Sequence, residues 1–419
     1  MNAPRSLERP AVDVLRLPLL GRLLRSRCGR LIGQIPLLIA ALLLIYDGFT
    51  GPELAAQNLA TIAPWVHYRG LVIVALLLAG NLFCMSCPFT LPRTLNRRLS
   101  LRGGRWPRAL RNKCLAIAAL FAIFFAYEWL DLWASPALTA WVIIAYFVGA
   151  FVLEALFTES PFCKYVCPLG TFNFVYSTVS PLEIQVRQPD VCRTCVGKEC
   201  VNGSYRPAPL IVVDQIGVEG EQPAPPPKGP DGVLGCGTLL FPPQMTSNLD
   251  CLMCLDCARA CPHDNIGLFG RAPGAELGRA AAWPKRWDVS YMVIALAFMG
   301  LINAFGMVPP VYDLMQSLAE QLGLTALLTP AVRMLLTGWA ARALTGTWQR
   351  DSLRTAVSAF APAFVPVGFG LWAAHYGFHF LIGVWTIIPA FQNFLIDHGI
   401  TLLGEPNWAL GGIQSLEVI

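Results

Sequence analysis

The chain has 419 residues, of which 55% are hydrophobic and only 14% charged, with a formal net charge of +5. A soluble globular chain carries about 25% charged residues, so this composition excludes one and points to an integral membrane protein. The basic excess is mostly arginine and gathers beside apolar segments, where it reads as a topology signal and not as a nucleic-acid site.

The first thirty residues hold seven arginines (Arg5, Arg9, Arg16, Arg22, Arg25, Arg27 and Arg30). They lack a short apolar core ending in a small-residue cleavage site, so 1–30 reads as a basic N-terminal segment and not a signal peptide. Uncharged runs of roughly 20 residues then mark crossings. Leu31 to Tyr46 is a short first candidate and Gly70 to Pro92 a second. Cys114 to Trp133 is a third, and Leu132 to Leu153 contains a fourth, so 31–157 is expected to be a four-helix membrane domain. A polar insert follows at 158–287, with a Pro-rich stretch, Arg206 to Asp231, that reads as an extended loop.

The C-terminal membrane domain, 288–419, begins with a fifth candidate at Val289 to Tyr312. Gln321 to Ala341 is apolar but holds Arg333, which, with Arg342, reads as a helix-end anchor. Thr355 to Ile396 is 42 residues without a formal charge. As helix it would extend roughly 60 Å, enough for two crossings. This domain is therefore expected to cross two to four times. The fold class expected is an all-α polytopic membrane bundle of seven or eight transmembrane helices with an inserted α+β domain.

Arg93 to Lys113 holds eight cations, whereas the segments around Asp47–Glu53 and Glu128–Asp131 are acidic and nearly cation-free. The positive-inside rule then places the N-terminus and this loop in the cytoplasm. An even number of crossings precedes the polar insert, which is expected on the same side.

Ten of the fourteen cysteines lie in that insert. Cys251-x2-Cys254-x2-Cys257-x3-Cys261-Pro262 has the spacing of bacterial ferredoxins, in which three thiolates hold one [4Fe–4S] cluster and the fourth reaches the other. Structural zinc prefers two separated pairs. The partner run is Cys192-x2-Cys195-x4-Cys200, with a widened third gap and no Cys-Pro, so Cys236 in Gly235-Cys236-Gly237 is the replacement ligand. One cluster is assigned to Cys192, Cys195, Cys200 and Cys261, the other to Cys251, Cys254, Cys257 and Cys236, with exchange of the two fourth ligands left open. Cys84-x2-Cys87-Pro88 and Cys163-x3-Cys167-Pro168 sit where helices two and four end at the same membrane face. These four thiols would hold a third cluster or another soft metal, or serve as redox-active or inert thiols. Cys28 and Cys114 are left over.

Phe83-Cys84-Met85-Ser86-Cys87-Pro88 and Phe162-Cys163-Lys164-Tyr165-Val166-Cys167-Pro168-Leu169-Gly170, followed by a ferredoxin run, resemble the polytopic membrane [4Fe–4S] ferredoxins. That group includes the membrane ferredoxin of periplasmic nitrate reductase, the nitrous oxide reductase regulator and the cytochrome oxidase accessory protein. A membrane iron–sulfur protein of light-driven cyclic electron flow is similar in outline. The likeness covers about Arg69 to Gly270. It implies a cytoplasmic two-cluster ferredoxin-like domain and electron transfer between quinones or soluble carriers and a respiratory or photosynthetic partner. The first Cys pair is spaced by two residues where the relatives often have three, and the first ferredoxin run is irregular. The region after Trp287 is longer than in the nitrate reductase component, and no segment matches the regulator's large flavin-binding domain.

His375 and His379 are four residues apart and share a helix face among Trp372, Tyr376, Phe378 and Phe380. An intramembrane ionisable residue is a functional hypothesis by default, here a quinone headgroup site; an interfacial belt or interhelical hydrogen bonds is the other reading. Haem is disfavoured, because positions i and i+4 cannot supply two axial ligands, and His67 and His398 read as loop or helix-end residues. No Walker pattern, HExxH or GxSxG is present, so any flavin or nicotinamide belongs to a partner.

The expected function is that of a multi-pass bacterial inner-membrane electron carrier, embedded in lipid. It would pass single electrons between the quinone pool and a soluble or membrane redox partner. The rival is a copper reductase, maturation or redox-sensing accessory protein of a respiratory complex. A transporter is a weaker third, since mid-helix charges other than Arg333 are nearly absent.

Overall fold

The computed structural model describes residues 12–92, 104–157, 160–204, 232–278, 286–305 and 353–411, with a few isolated positions besides. The loop cations 93–103, the Pro-rich stretch 206–231, the apolar stretch 322–341 with Arg333, and Arg342 lie outside the described residues.

The chain is mostly helical. Helix α1 (Arg27–Thr50) starts at Ser26, whose hydroxyl accepts from the Gly29 N–H at 2.8 Å, satisfying one orphan donor of the first turn. Its residues Ile32, Ile35, Ile39 and Leu42 recur at helical spacing and are all about half exposed. An apolar stripe left bare in this way belongs against lipid. Helix α2 (Leu59–Ala79) contains a π-helical turn at Ala63–Tyr68 and is followed, after a break at Gly80 and Asn81, by the short α3 (Leu82–Ser86). Helix α4 is Cys114–Trp129, and α5 (Pro136–Leu156) begins with proline at its first position and Ser135 as its cap. Helix α6 (Pro168–Tyr176) follows the second Cys-Pro pair.

Between α6 and the C-terminal helices lies a small unit built on two strands, β1 (Leu182–Val186) and β2 (Ile266–Gly270). They pair antiparallel, from Leu182 opposite Gly270 to Val186 opposite Ile266, and the short helix α7 (Asp256–Ala260) packs beside them. Ile184, Val186, Ile266 and Leu268 are buried there with Leu15 and Leu24 from the N-terminal segment. That segment is therefore more than a basic tail: Gly270 N–H donates to the Val12 carbonyl at 2.9 Å, and Arg187 pairs with Asp13 at 2.8 Å.

The bundle closes with α8 (Trp287–Phe305), α9 (Leu353–Gly383) and α10 (Ile387–Asp397). Val72, Ile73 and Leu76 of α2, Ala116 and Leu120 of α4, Val293 and Leu296 of α8, and Val365 and Trp372 of α9 form one apolar core. Trp372 is fully enclosed and its indole N–H donates to the Leu296 carbonyl at 2.9 Å.

Among the described residues four helices are long and apolar enough to cross a membrane: Cys28–Thr50, Leu59–Ala79, Pro136–Leu156 and Trp287–Ala304. The pair Ser358–Gly383 and Ile387–Asp397, bent by 56°, makes a fifth if taken as one span, and Cys114–Trp129 is a shorter apolar helix. The expectations differ from this in three places. The 42-residue run is one long helix plus a short bent one, breaking after Gly383, so it does not supply two full crossings among the described residues. The second span begins at Leu59 and ends at Ala79 instead of running from Gly70 to Pro92. His67 consequently lies inside a helix and not in a loop.

Gly80 explains where α2 stops. Its φ is +65°, and an added Cβ would meet the Ser180 hydroxyl oxygen at 2.2 Å. Gly80→Ala is expected to destabilise the fold by about 1–3 kcal/mol, read as a lowered unfolding temperature in detergent. An unchanged temperature would mean that this turn is not held against Ser180.

Candidate metal-cluster site

The loop Cys251–Cys257 turns by placing two non-glycine residues, Met253 (φ +49°) and Leu255 (φ +60°), in the left-handed region. Left-handed backbone at such residues is strained and persists only where its surroundings over-determine it. Here both side chains are buried to 1% exposure, anchoring the loop while the intervening thiols face a common space. Cys251, Cys254 and Cys257 line one cavity together with Cys236. A second cavity is lined by Cys192, Cys195, Cys200 and Cys261.

The third group is Cys84, Cys87, Cys163 and Cys167. The first pair closes α3 and the second precedes α6. Cys84, Cys163 and Cys167 pack in one cluster with Phe162 and Phe174, and Cys87 closes the turn after Cys84, its N–H donating to the Cys84 carbonyl at 3.4 Å. Cys167 also caps α6, its Sγ accepting from the Gly170 N–H at 3.2 Å.

The groups adjoin in series. The Cys236 N–H donates to the Cys200 carbonyl at 2.9 Å, joining the first two. The Asn81 amide donates to the Cys251 carbonyl at 2.8 Å, and Cys254 packs in the same cluster as Cys84, joining the second to the third. Cys28 and Cys114 are exposed and belong to no group.

Burial pushes the Cys84 thiol up to about 12, Cys167 to about 11 and Cys254 to about 12. It also raises Cys200 to about 12, and neighbouring thiols add to the effect. A thiolate is the metal ligand and the nucleophile. In metal-free folded protein, Cys84, Cys167 and Cys254 are therefore expected to alkylate at pH 7 far more slowly than Cys28 and Cys114. Their rates should rise about tenfold per pH unit toward pH 11. Equal labelling of all fourteen thiols at pH 7 would contradict this environment.

The sulfurs are met by polar hydrogens. Asn173 Nδ2 lies 3.4 Å from Cys84 Sγ and Asn265 Nδ2 lies 3.2 Å from Cys192 Sγ. Backbone N–H groups of Met253, Leu240 and Asn265 donate to Cys251, Cys236 and Cys261. Such donors favour sulfur carrying negative charge, as it does when it ligates metal. Among the described residues no three His, Cys, Asp or Glu side chains stand close enough to hold a single metal ion. A cubane differs in being a body several atoms across, so its thiolates need not meet at one point.

Buried ions brace the groups, and sequence reasoning missed them by counting Lys113 and Arg30 as topology charges. Lys113, 1% exposed, donates to the Asp250 carboxylate and to the Lys164 carbonyl, joining the residue before Cys251 to the residue after Cys163. Arg286 and Asp288 complete the cluster at the start of α8. Burial opposes ionisation of Asp250, but Lys113, Lys164 and Arg286 outweigh it and hold its carboxyl below the usual range. Arg30, 8% exposed, pairs with Asp256 at 3.2 Å and donates to Thr90 at 3.0 Å.

His375 and His379 lie within α9, their rings 4.9 Å apart, and His375 Nε2 pairs with Asn303 Nδ2 at 3.1 Å. His67 lies between the Ile62 and Val384 carbonyls, and His398, at the end of α10, meets the Tyr46 hydroxyl at 3.0 Å. Arg69 was also missed: the aromatic faces of Trp65, Tyr127 and Tyr376 surround its guanidinium. No protein-family model, curated protein or solved structure matches the chain.

Proposed function

We propose that the chain is a membrane-bound iron–sulfur protein that passes single electrons between the membrane quinone pool and a soluble or membrane redox partner. The observation that carries this reading is the grouping of twelve cysteines in three adjoining fours, two of them each lining one cavity. Bound there, a [4Fe–4S] cluster supplies a one-electron couple with a potential set by its surroundings. Cys192, Cys195, Cys200 and Cys261 would hold the first, Cys236, Cys251, Cys254 and Cys257 the second, and Cys84, Cys87, Cys163 and Cys167 the third.

What the protein contributes is enclosure and polarity. Met253, Leu255 and Phe174 keep water from the sulfurs, and Asn173, Asn265 and the backbone N–H donors stabilise their negative charge. The unit built on β1 and β2 would be a ferredoxin-like domain. The positive-inside rule puts it in the cytoplasm of a bacterial cell, with the third group at the inner membrane face. The alternative, a copper-reducing, maturation or redox-sensing accessory protein, would draw on the same thiols, and bound copper with dispensable His375 and His379 would favour it.

The test is electron paramagnetic resonance of anaerobically purified protein before and after dithionite. The reading expects one unpaired spin per reduced cluster. A folded chain silent in both states and without visible absorption would contradict it.

A further inference from the structure

Arg69 lies midway along Leu59–Ala79, which at 1.5 Å per residue is about 15 Å from either end of the span. Its guanidinium carbon is 4.4 Å from the Trp65 ring centre, 4.8 Å from Tyr127 and 5.0 Å from Tyr376. Among the described residues it has no carboxylate partner and no hydrogen-bond acceptor. Aromatic faces attract a cation through their negative quadrupole. They satisfy none of the five N–H donors of the guanidinium. A cation held at this depth without an anion is costly and marks a functional site.

Two imidazoles adjoin the cage: the His375 ring lies 5.5 Å from that of Tyr376 and 4.9 Å from that of His379. With the Asn303 amide donating to Nε2 of His375, the imidazole carries its one proton on Nδ1, a donor that meets no acceptor among the described residues. The π-helical turn at Ala63–Tyr68, which sets Trp65 one turn before Arg69, is a feature concentrated at functional sites.

The cage is continuous with the third cysteine group through packed aromatic rings. Tyr376 lies 6.5 Å from Phe172, which is carried on α6 just after Cys167, and Phe172 lies 4.7 Å from Tyr176. On the other side Tyr68, next to Arg69, packs 5.0 Å from Phe83 and is an electrostatic neighbour of Cys84, Cys87 and Cys167.

We propose that Arg69 and His375, walled by Trp65, Tyr127 and Tyr376, bind the dicarbonyl ring of a lipid-soluble quinone. A ligand at this depth must dissolve in the bilayer, which disfavours a phosphate headgroup held at the surface. It must offer acceptor oxygen to a guanidinium and an imidazole N–H, and a flat ring to three aromatic faces. A quinone headgroup meets all three demands. The location deepens the relay reading and rests on it for the choice of a redox-active ligand.

The experiment titrates full-length, detergent-purified protein with decylubiquinone, following tryptophan quenching, with iron content and monodispersity measured on the same samples. One equivalent is expected to bind. Arg69→Met and His375→Gln should each weaken binding about tenfold or more, the loss of one hydrogen bond involving a charged or buried polar group. Arg69→Lys, which keeps the charge but not the fork, should recover part of it. Iron content should be unchanged in all three. If Arg69→Met does not stay monodisperse, Arg69→Lys and His375→Gln carry the comparison. Iron-loaded wild type that fails to bind, or variants that bind as wild type does, would overturn the site while leaving the relay standing. Binding that depends on Arg69 in protein devoid of iron would keep the site and remove the relay.

Discussion

Lys113→Met destabilises the folded chain by about 3–5 kcal/mol, because removing one partner of a buried pair strands the other. The lysine side chain is 2% exposed and that of Asp250 6%. Methionine fills a similar volume but leaves the carboxylate with the more distant Arg286, 3.9 Å away, and with Lys164. It also strips the Lys164 carbonyl of its donor. The same change should loosen the connection between Cys251 and Cys163, since Asp250 and Lys164 flank them. Lys113→Met combined with Asp250→Asn is expected to recover a good part of the loss, as the stranded charge is gone. Thermal unfolding of the three variants in one detergent checks this. A single variant as stable as wild type would mean that the pair is not buried in the membrane-embedded protein. Acid should act in the same direction. A carboxyl held below its usual range contributes stability that is complete above its unfolded pKa of about 3.9 and is lost as pH falls through the lower folded value.

On the proposed ligation, Cys236→Ser is expected to remove one cluster in three and leave the others, whereas Cys28→Ser and Cys114→Ser are expected to remove none. Cys236 lines the cavity of Cys251, Cys254 and Cys257, and the Leu240 N–H donates to its sulfur at 3.3 Å. Serine offers a harder oxygen ligand in place of thiolate, so the second site would lose the cluster proposed for it. The two control residues are exposed and outside every group. Spectroscopic spin counts and iron on the three variants decide the matter. A Cys236→Ser protein indistinguishable from wild type would remove this cysteine from the ligand set.

The apolar spans were legible because a crossing needs a long uncharged run, and charge is easy to see in a sequence. The same rule misplaced α2. Arg69 ended the uncharged run there, yet the helix continues through it, because Trp65, Tyr127 and Tyr376 cover the charge with aromatic faces. Two of those rings arrive from other helices, so no local pattern announces them. Lys113 and Arg30 were invisible as buried ions for the same reason: their partners Asp250 and Asp256 are far away in sequence. The strands Leu182–Val186 and Ile266–Gly270 are five residues each, too short for a periodic signal to stand out, and they pair across the whole insert. The break after Gly383 is a turn in which the Thr386 N–H and hydroxyl both donate to the Gly383 carbonyl, and Gly383 packs against Val66, where an added Cβ would come within 2.8 Å; the sequence around it carries no strong turn signal. The cysteine groups needed less help, since most of the thiols that line each cavity are separated by short gaps along the chain.

The most direct test of the account is iron and acid-labile sulfide on anaerobically purified, full-length protein. Three clusters of four irons require about twelve of each per chain. About eight would confine clusters to the two cavities and leave Cys84, Cys87, Cys163 and Cys167 to thiol chemistry. No iron or sulfide in well-folded protein would contradict the electron-transfer function outright.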